Sequence, residues 1–196
     1  MNFETVTKFE NRIAEFYGAT YAVATDSCTH ALELCIRYCD LSSIVVPKRT
    51  NISVPRLAKK LNIGLNWSDE NWVDFYYINN DVIDAAVLWK ENSFIPSSLM
   101  CLSFQHQKHL SLGRGGMILC DDLKIAQQLK KMSYDGRLHD VAWRTQNIST
   151  MGYHYYMTPE TAKLGLDTLD DAIKREPKKW TINDWPDVSL MDVFKK

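Results

Sequence analysis

The chain has 196 residues, of which 45% are hydrophobic and 24% are charged, and its formal net charge at pH 7 is −1. This length suits one domain with a sizeable core, since domains commonly contain about 100–200 residues. The near-zero net charge gives no electrostatic reason to expect binding to nucleic acid or to an acidic membrane.

Five cysteines are scattered along the chain, without the Cys-x-x-Cys spacing of zinc and redox motifs. We therefore expect free, buried thiols in a reducing compartment, with neither a disulfide framework nor a metal site. The N-terminus is acidic and amphipathic, unlike a secretory leader, and no apolar run approaches the roughly 18 residues of a membrane span. These features predict a soluble, cytoplasmic protein.

An amphipathic helix and a buried strand open the chain. Residues 2–17 carry apolar side chains at helical spacing with charges between them, and Gly18 follows as a C-cap. Residues 21–24 predict a short buried strand, and residues 28–30 begin a second helix.

The turn between this strand and the second helix consists of Ser27, Cys28 and Thr29. A helix N-terminus binds anions well, because its first N–H groups are unpaired and the helix dipole is positive there. The same pattern is also typical of an ordinary N-cap, with Ser27 or Thr29 as the capping residue. The local sequence leaves both interpretations open.

Strand and helix signals alternate through the middle of the chain. Residues 43–47 predict a buried strand, and a helix is expected from about residue 54 to 61. From Gly64 to Tyr77 the pattern is weak, with GLNW as one candidate strand and the aromatic-rich NWVDFYYI as a second. A further buried strand ends at Asp84, which by itself is typical of a residue that caps a turn.

The segment 102–119, LSFQHQKHLSLGRGGMIL, presents one lysine on a turn between two predicted strands. The first apolar run ends at Ser103, Lys108 follows it, and three glycines lead into the second run. A lysine amine can condense with a carbonyl, but it is a useful nucleophile only where its surroundings lower its pKa. On local features, Lys108 is either such a nucleophile or a solvated surface charge.

Two helices and an irregular tail complete the chain. Residues 121–132 predict an amphipathic helix. His154 lies in an aromatic run before the last helix, where a histidine is either a packed, hydrogen-bonded residue or a ligand-binding group. The tail, residues 176–196, contains Trp180 and Trp185, and such a tail usually docks on its own domain or on a partner.

Three of these segments, in this order and spacing, resemble the DegT/StrS sugar aminotransferases. They are the Ser27-Cys28-Thr29 turn, Asp84 and residues 103–116. In the third segment, Ser-Phe is followed after three residues by the lysine, and the lysine is followed after four residues by Gly-x-Gly-Gly. The stretches FENRIAEFYGATYAVATDSCTHALEL and MGYHYYMTPETAKLGLDTLDDAIKR are also similar to the family's opening segment and to the helix that packs across its dimer. The resemblance covers about residues 1–175.

Members of that family are fold-type-I enzymes that use pyridoxal 5'-phosphate (PLP) to aminate nucleotide-linked keto sugars. The resemblance implies that Lys108 is the Schiff-base lysine and that Asp84 pairs with the pyridinium nitrogen of the cofactor. It implies that Ser103 and the Ser27-Cys28-Thr29 turn hold the cofactor phosphate. It also implies a homodimer, with an amino-acid donor, glutamate by family likeness, and a nucleotide-linked keto sugar as substrates.

Five positions depart from the family's pattern. Cys28 replaces the glycine of the phosphate-binding turn, which is strained if that position needs a left-handed backbone. Asn51 replaces the aromatic residue that stacks on the pyridine ring, so either another residue covers the ring or the cofactor is held loosely. Val87 replaces a Gln or His at the ring hydroxyl, and Tyr156 replaces an arginine. His154 replaces an asparagine that reaches the phosphate of the neighbouring subunit, and it is the last candidate cofactor-binding residue.

These observations predict an α/β fold with a mostly parallel sheet flanked by helices, a reduced version of the fold-type-I large domain. Residues 1–175 are expected to form a PLP-binding large domain, residues 176–196 a short tail, and the family's C-terminal small domain is expected to be absent. The cofactor is expected at the carboxyl ends of the strands.

Two functions follow from the sequence. The first is a PLP-dependent aminotransferase, working as a homodimer or with a second chain, and the intact Lys108 and Asp84 favour it. Lys108 also argues against the family's dehydratase branch, in which a histidine takes its place. The second is a degenerate cofactor-binding or scaffold subunit without turnover. The substitutions at Cys28, Asn51, Val87 and Tyr156 favour it, as does the expected absence of the small domain.

Overall fold

The computed structural model describes residues 2–195, in which the chain forms five α-helices and seven strands. The helices are α1 (Phe3–Tyr17), α2 (Cys28–Tyr38), α3 (Ser53–Leu61), α4 (Leu123–Ser133) and α5 (Pro159–Lys174). The strands are β1 (Tyr21–Thr25), β2 (Ser43–Pro47), β3 (Gly64–Ser68), β4 (Tyr76–Tyr77), β5 (Val82–Asp84), β6 (Leu99–Ser103) and β7 (Gly116–Cys120). Short 3-10 turns occur at Trp143–Thr145, Ile182–Asp184, Val188–Leu190 and Asp192–Phe194.

The main sheet has five strands in the order β1-β7-β6-β5-β4, and β2 and β3 form a separate parallel pair. Strands β5 and β6 are parallel, whereas β7 pairs antiparallel with both β1 and β6, and β4 pairs antiparallel with β5. The predicted α/β fold with a helix-flanked central sheet is confirmed, but its strand directions are mixed rather than mostly parallel. The physical reason is that the reversed strand β7 lies between β1 and β6, so both of its ladders are antiparallel.

Side chains of the main sheet alternate between two hydrophobic cores, one on each face. Val23 and Ile118 belong to the core that includes α2, α3 and α4. Their chain neighbours Ala24 and Met117 belong to the core that includes α1 and α5. Helices therefore cover both faces and leave the carboxyl ends of β1, β5 and β6 at one edge.

Helix α1 illustrates how local sequence and long-range contacts act together. Its apolar side chains are buried, and Gly18 ends the helix with a φ of 75° in the left-handed region. Buried Glu10 accepts the N–H of Ala24 at 2.9 Å and a hydrogen bond from Lys130 Nζ at 2.6 Å. This carboxylate links α1 to β1 and α4, with both of its oxygens engaged.

The tail packs against the β2–β3 pair. Val188 is fully buried, and its N–H donates to the carbonyl of Lys48 at 2.8 Å. The backbones of Arg49 and Asp187 form an isolated antiparallel β-bridge. The tail therefore docks on its own domain, which is one of the two placements that its tryptophans suggest.

The five cysteines are free thiols, of which Cys39 is partly buried and the others are buried. Within residues 2–195, no group of three or more His, Cys, Asp or Glu side chains is arranged to hold a metal ion. No helix in this part of the chain is both long enough and apolar enough to cross a membrane.

Candidate active site

A cavity of about 240 Å³ lies at the carboxyl ends of the strands. The segments that follow β1, β2, β5 and β6 contribute to its lining, as does the C-terminal tail. Seven of the predicted site residues line it, namely Ser27, Cys28, Thr29, Asn51, Asp84, Ser103 and Lys108. The lining also includes Thr50, Trp72, Tyr76, Val87, Arg114 and Trp185.

The turn after β1 begins helix α2 at the cavity. Ser27 caps the helix, because its Oγ accepts the N–H of His30 at 3.3 Å. Cys28 is not among the residues with a positive φ, so the cysteine fits this turn without left-handed backbone strain. The N-cap and the anion-binding interpretations are compatible, since the capped helix directs its N-terminus at the cavity that Ser27, Cys28 and Thr29 line.

The last glycine of the Gly-x-Gly-Gly motif lets β7 approach this turn closely. A Cβ on Gly116 would lie 2.4 Å from the backbone N of Cys28 and 2.4 Å from the carbonyl carbon of Ser27. No side chain fits at that separation. Gly113 has a different function, because its φ of 75° provides the left-handed residue of the loop.

Asp84 ends β5 and is only 5% exposed. Its Oδ1 accepts the N–H of Ala86 at 3.0 Å, and its Oδ2 accepts the hydroxyl of Tyr76 at 2.5 Å. The Tyr76 hydroxyl also lies 2.7 Å from Thr50 Oγ1. Burial raises the pKa of Asp84, while the hydrogen bonds from Tyr76 and Ala86 and the charge of Lys108 act in the opposite direction. Asp84 thus both caps the turn after β5 and presents a fixed carboxylate to the cavity.

Tyr76 is a hydrogen-bond donor to Asp84 at any ordinary pH. Burial is the main cause that raises the pKa of its hydroxyl, and the negative charge of Asp84 adds to it. The hydroxyl therefore stays protonated and holds one carboxylate oxygen in a fixed direction.

Lys108 lies on the loop between β6 and β7, and its side chain is partly buried in the cavity wall. Burial lowers the pKa of its amine, and the charge of Lys178 adds to that, whereas Asp84 and Cys28 act in the opposite direction. Its Nζ lies 4.6 Å from the ring centroid of Trp180 and 5.3 Å from that of Trp185. This environment differs from that of a solvated surface charge, and the role of Lys108 as a nucleophile stays a prediction.

Ser103 and Asn51 both line the cavity and both make local hydrogen bonds. Ser103 Oγ accepts the N–H of Gln105 at 3.4 Å. Asn51 Oδ1 accepts the N–H of Ser53 at 3.0 Å, at the start of α3. The Asn51 amide is therefore used in a turn, and aromatic surface in the cavity comes from elsewhere, from Trp72, Tyr76 and Trp185.

His154 lies outside this cavity. Its side chain is 70% exposed, and its Nδ1 is 3.2 Å from Asp135 Oδ2. It lines a neighbouring groove together with Asp26 and Arg114, whose side chains form an ion pair at 2.7 Å. Arg114 lines both the groove and the cavity. A role for His154 at a neighbouring subunit's phosphate stays a prediction.

Tyr76, Arg114 and Trp185 line the cavity but were not among the predicted site residues. Arg114 carried a signal, because a cation inside a glycine-rich turn next to an anion-binding helix is a candidate phosphate contact. Tyr76 and Trp185 carried none, since their position depends on a two-residue strand and on the docking of the tail.

The fold and the cavity define an α/β protein of the fold-type-I aminotransferase class. A model of the DegT/DnrJ/EryC1/StrS aminotransferase family matches residues 1–96 and 96–184, and the chain belongs to this family.

Known proteins similar to this chain are longer than it is. AtS13 from Actinomadura melliaura has a similar structure, with a TM-score of 0.77, 17% identity, and coverage of 87% of this chain and 61% of that one. Spr1654 from Streptococcus pneumoniae, assigned as a sugar aminotransferase and solved in a PLP-form, gives a TM-score of 0.70 at 16% identity, covering 86% and 59%. The uncharacterized protein MJ1066 of Methanocaldococcus jannaschii is 21% identical over 225 residues, covering 84% of this chain and 56% of its own length. The chain thus spans 56% to 61% of these relatives, and the structural likeness shows a shared fold.

Proposed function

We propose that this protein is a PLP-dependent aminotransferase that transfers an amino group to a nucleotide-linked keto sugar, with glutamate as the amino donor. The observation that carries the proposal is the convergence of Lys108, Asp84 and the Ser27-Cys28-Thr29 turn on one cavity at the strand ends. Membership of the family and the similarity to Spr1654 in its PLP-form support the choice of cofactor and reaction. The five free thiols suit a cytoplasmic enzyme.

The residues of the cavity fit the cofactor. Lys108 offers an amine with a lowered pKa to an aldehyde, and Asp84 offers a buried carboxylate to a ring nitrogen. Ser103, Ser27 and Thr29 provide hydroxyl groups that can bind a phosphate. The Ser27-Cys28-Thr29 turn also provides the N-terminus of a helix, which favours an anion. The volume of about 240 Å³ is below the range of about 300–1,000 Å³ for ligand pockets, so a nucleotide-linked sugar must extend beyond it.

When bound, PLP supplies an electron sink for negative charge that develops at Cα of an amino acid. Lys108 would hold the cofactor through Nζ and, as a free amine, would move the proton to and from Cα. Burial disfavours the charged forms of both Lys108 and Asp84. Asp84 would hold the ring nitrogen in its protonated form, because an ion pair between the two groups would favour the charged form of each.

We propose further that residues 1–175 act as the cofactor domain of a homodimer, in which His154 contributes to the neighbouring site. The similarity of residues 151–175 to the family's dimer-packing segment supports this, as does the exposure of His154. Large apolar side chains are also exposed in the same part of the chain, which is typical of an interaction surface. They are Leu138, Val141, Trp143, Ile148, Met151, Leu164 and Ile173.

The absorbance spectrum of the purified protein with added PLP, before and after borohydride, tests the cofactor step. The wild type is expected to gain the visible band of PLP linked to a lysine, and borohydride is expected to fix the adduct on Lys108. Lys108→Ala should lose both, whereas Lys124→Ala, an exposed residue on α4, should keep both. Absence of the band at saturating PLP in the wild type contradicts the proposal.

A non-catalytic, cofactor-binding subunit of the same family is the second candidate. The observation that favours it is the Tyr76 hydroxyl on Asp84 Oδ2, because this bond engages one oxygen of the carboxylate that serves the ring nitrogen. Glutamate added to the PLP-loaded protein separates the two functions. Loss of the visible band, with formation of the pyridoxamine form, indicates an aminotransferase, and an unchanged spectrum indicates a passive binder.

A further inference from the structure

The C-terminal tail contributes one side chain to the cavity, Trp185, which lines it together with Asn51, Asp84 and Lys108. We infer that Trp185 is a cofactor-binding residue, whose indole N–H donates a hydrogen bond to an oxygen of bound PLP. The inference rests on the proposed function, and it assigns part of the cofactor site to the tail.

The backbone around Trp185 is held against the strand pair. The Trp185 carbonyl accepts a hydrogen bond from the Arg49 guanidinium at 3.0 Å, and Asp187 forms a bridge with Arg49. Val188 is fully buried, and its N–H donates to the carbonyl of Lys48. Contacts on the C-terminal side of Trp185 therefore fix the position of its backbone.

The indole ring is also fixed by its neighbours. The Trp180 ring stacks on it with a centroid distance of 5.4 Å and an interplanar angle of 17°. The Trp72 ring lies 6.1 Å away, and Lys108 Nζ lies 5.3 Å from the ring centroid. A rigid ring with its position set in this way can orient a hydrogen bond at little entropic cost.

The N–H group of this ring lacks an acceptor among the described residues. Trp185 Nε1 is buried, and no acceptor lies within hydrogen-bonding distance of it in the part of the chain that the structure describes. The neighbouring Trp72 differs, because its Nε1 donates to the carbonyl of Arg49 at 2.8 Å. Buried donors nearly always have an acceptor, and an oxygen of a molecule in the cavity would provide one.

The phenolate and phosphate oxygens of PLP are acceptors of this kind. Asn51 lines the same cavity without an aromatic ring, and its Oδ1 accepts the N–H of Ser53 in a turn. Trp185 therefore brings to the cavity an aromatic side chain that the Asn51 segment does not provide.

Replacement of Trp185 by Phe tests the inference, because it keeps an aromatic ring and removes the N–H. PLP affinity, from a titration of the visible band, is expected to fall about tenfold for Trp185→Phe. Trp143→Phe is the matched control, since Trp143 is 59% exposed and does not line the cavity, and its affinity should stay within twofold of the wild type. An unchanged affinity in Trp185→Phe overturns the inference.

A second measurement uses the wild type alone and does not depend on how the variant folds. The six tryptophans give six indole N–H signals in a ¹⁵N-labelled sample, and the Trp185 signal is assigned from its proximity to the Trp180 ring. Addition of PLP is expected to move this signal downfield, as hydrogen bonding does, and a signal that stays in place overturns the inference.

Measuring the borohydride adduct separates a failure of the proposed function from a failure of the inference about Trp185. If the wild type forms no adduct on Lys108, the proposed function fails and this inference fails with it. If the adduct forms but the Trp185 signal and the affinity of Trp185→Phe are unchanged, only the inference fails.

Discussion

The cavity has two walls of different construction. Ser27, Asp84 and Lys108 form the sheet wall, and each of them lies at the end of a strand or in the first residues after one. Trp185 forms the tail wall, and together with Trp180 it covers Lys108 from a segment without regular strands. The sheet wall is positioned by backbone ladders and two cores, whereas the tail wall depends on a few side-chain and backbone contacts.

This difference indicates that the sheet wall positions the reacting groups and that the tail wall encloses the ligand. Groups that react with or neutralise the cofactor need positions that are accurate to a fraction of an ångström, and the sheet supplies them. Groups that enclose a ligand tolerate more variation, so a terminal segment can supply them. Changes in the sheet wall should therefore abolish function, while changes in the tail wall should weaken binding.

The largest expected effect is that of Lys108→Ala. The variant cannot link PLP covalently or move the Cα proton, so amino transfer should fall by about a thousandfold or more. The measurement is the rate of glutamate-dependent conversion of bound PLP, with Lys124→Ala as the control. If the variant retains a rate near that of the wild type, Lys108 does not take part in amino transfer.

Asp84→Asn is expected to lower the amino-transfer rate by about a hundredfold, because the neutral amide cannot stabilise a protonated ring nitrogen. The same variant should melt at a higher temperature than the wild type at pH 7 without PLP. Burial raises the pKa of Asp84 in the folded state, so the contribution of Asp84 to the stability of the wild type is most favourable at low pH and becomes less favourable as the carboxylate ionises.

The difference in melting temperature between Asp84→Asn and the wild type should accordingly shrink as the pH falls through the range where Asp84 takes up its proton. Thermal denaturation at several pH values measures it. A difference that grows toward acid pH would show that the sign of the Asp84 pKa shift is wrong.

Gly116→Ala should destabilise the fold by about 3 kcal/mol, since its Cβ meets the backbone of Ser27 and Cys28 at 2.4 Å. Gly113→Ala is the matched control from the same motif. A Cβ there meets nothing within 4 Å, and only the φ of 75° opposes the substitution, at about 1 kcal/mol. Urea denaturation compares the two, and equal costs would mean that the close approach of β7 to the turn is not rigid.

The smallest effect is expected in the tail wall. Val188→Ala removes a fully buried contact that holds the tail, and PLP affinity should fall about threefold while the Lys108 adduct still forms. Val193→Ala is the control, because Val193 is 42% exposed. If Val188→Ala abolishes the adduct, the tail is part of the reactive centre, and the distinction between the walls does not hold.

The sheet wall could be predicted from the sequence because its signals are local. The strand predicted at residues 21–24, just before Ser27, is observed as Tyr21–Thr25. Asp84, Ser103 and the Lys108 loop each lie directly after an apolar run, so parallel strands bring them to one edge. The strain expected at Cys28 is not observed, because a helix can begin there with ordinary backbone angles.

The tail wall could not be predicted, for a physical reason. Trp185 and Asp84 are about a hundred residues apart in the chain, and no periodic pattern connects them. The mixed directions of the main sheet were missed for a similar reason, since the reversal of β7 depends on the path of the loop that contains Lys108. Tyr76 was missed because its strand has only two residues.

The ladder between β1 and β7 also has a consequence for biosynthesis. Thr25 pairs with Gly116, so β1 cannot form this ladder until β7 has been synthesised, about ninety residues later. Pairing over such a separation is slow, because the loop-closure entropy is lost before the contacts form. Ser27 and Lys108 lie on either side of this ladder, so we expect the visible band of PLP to appear only after the ladder closes, and time-resolved absorbance would measure this.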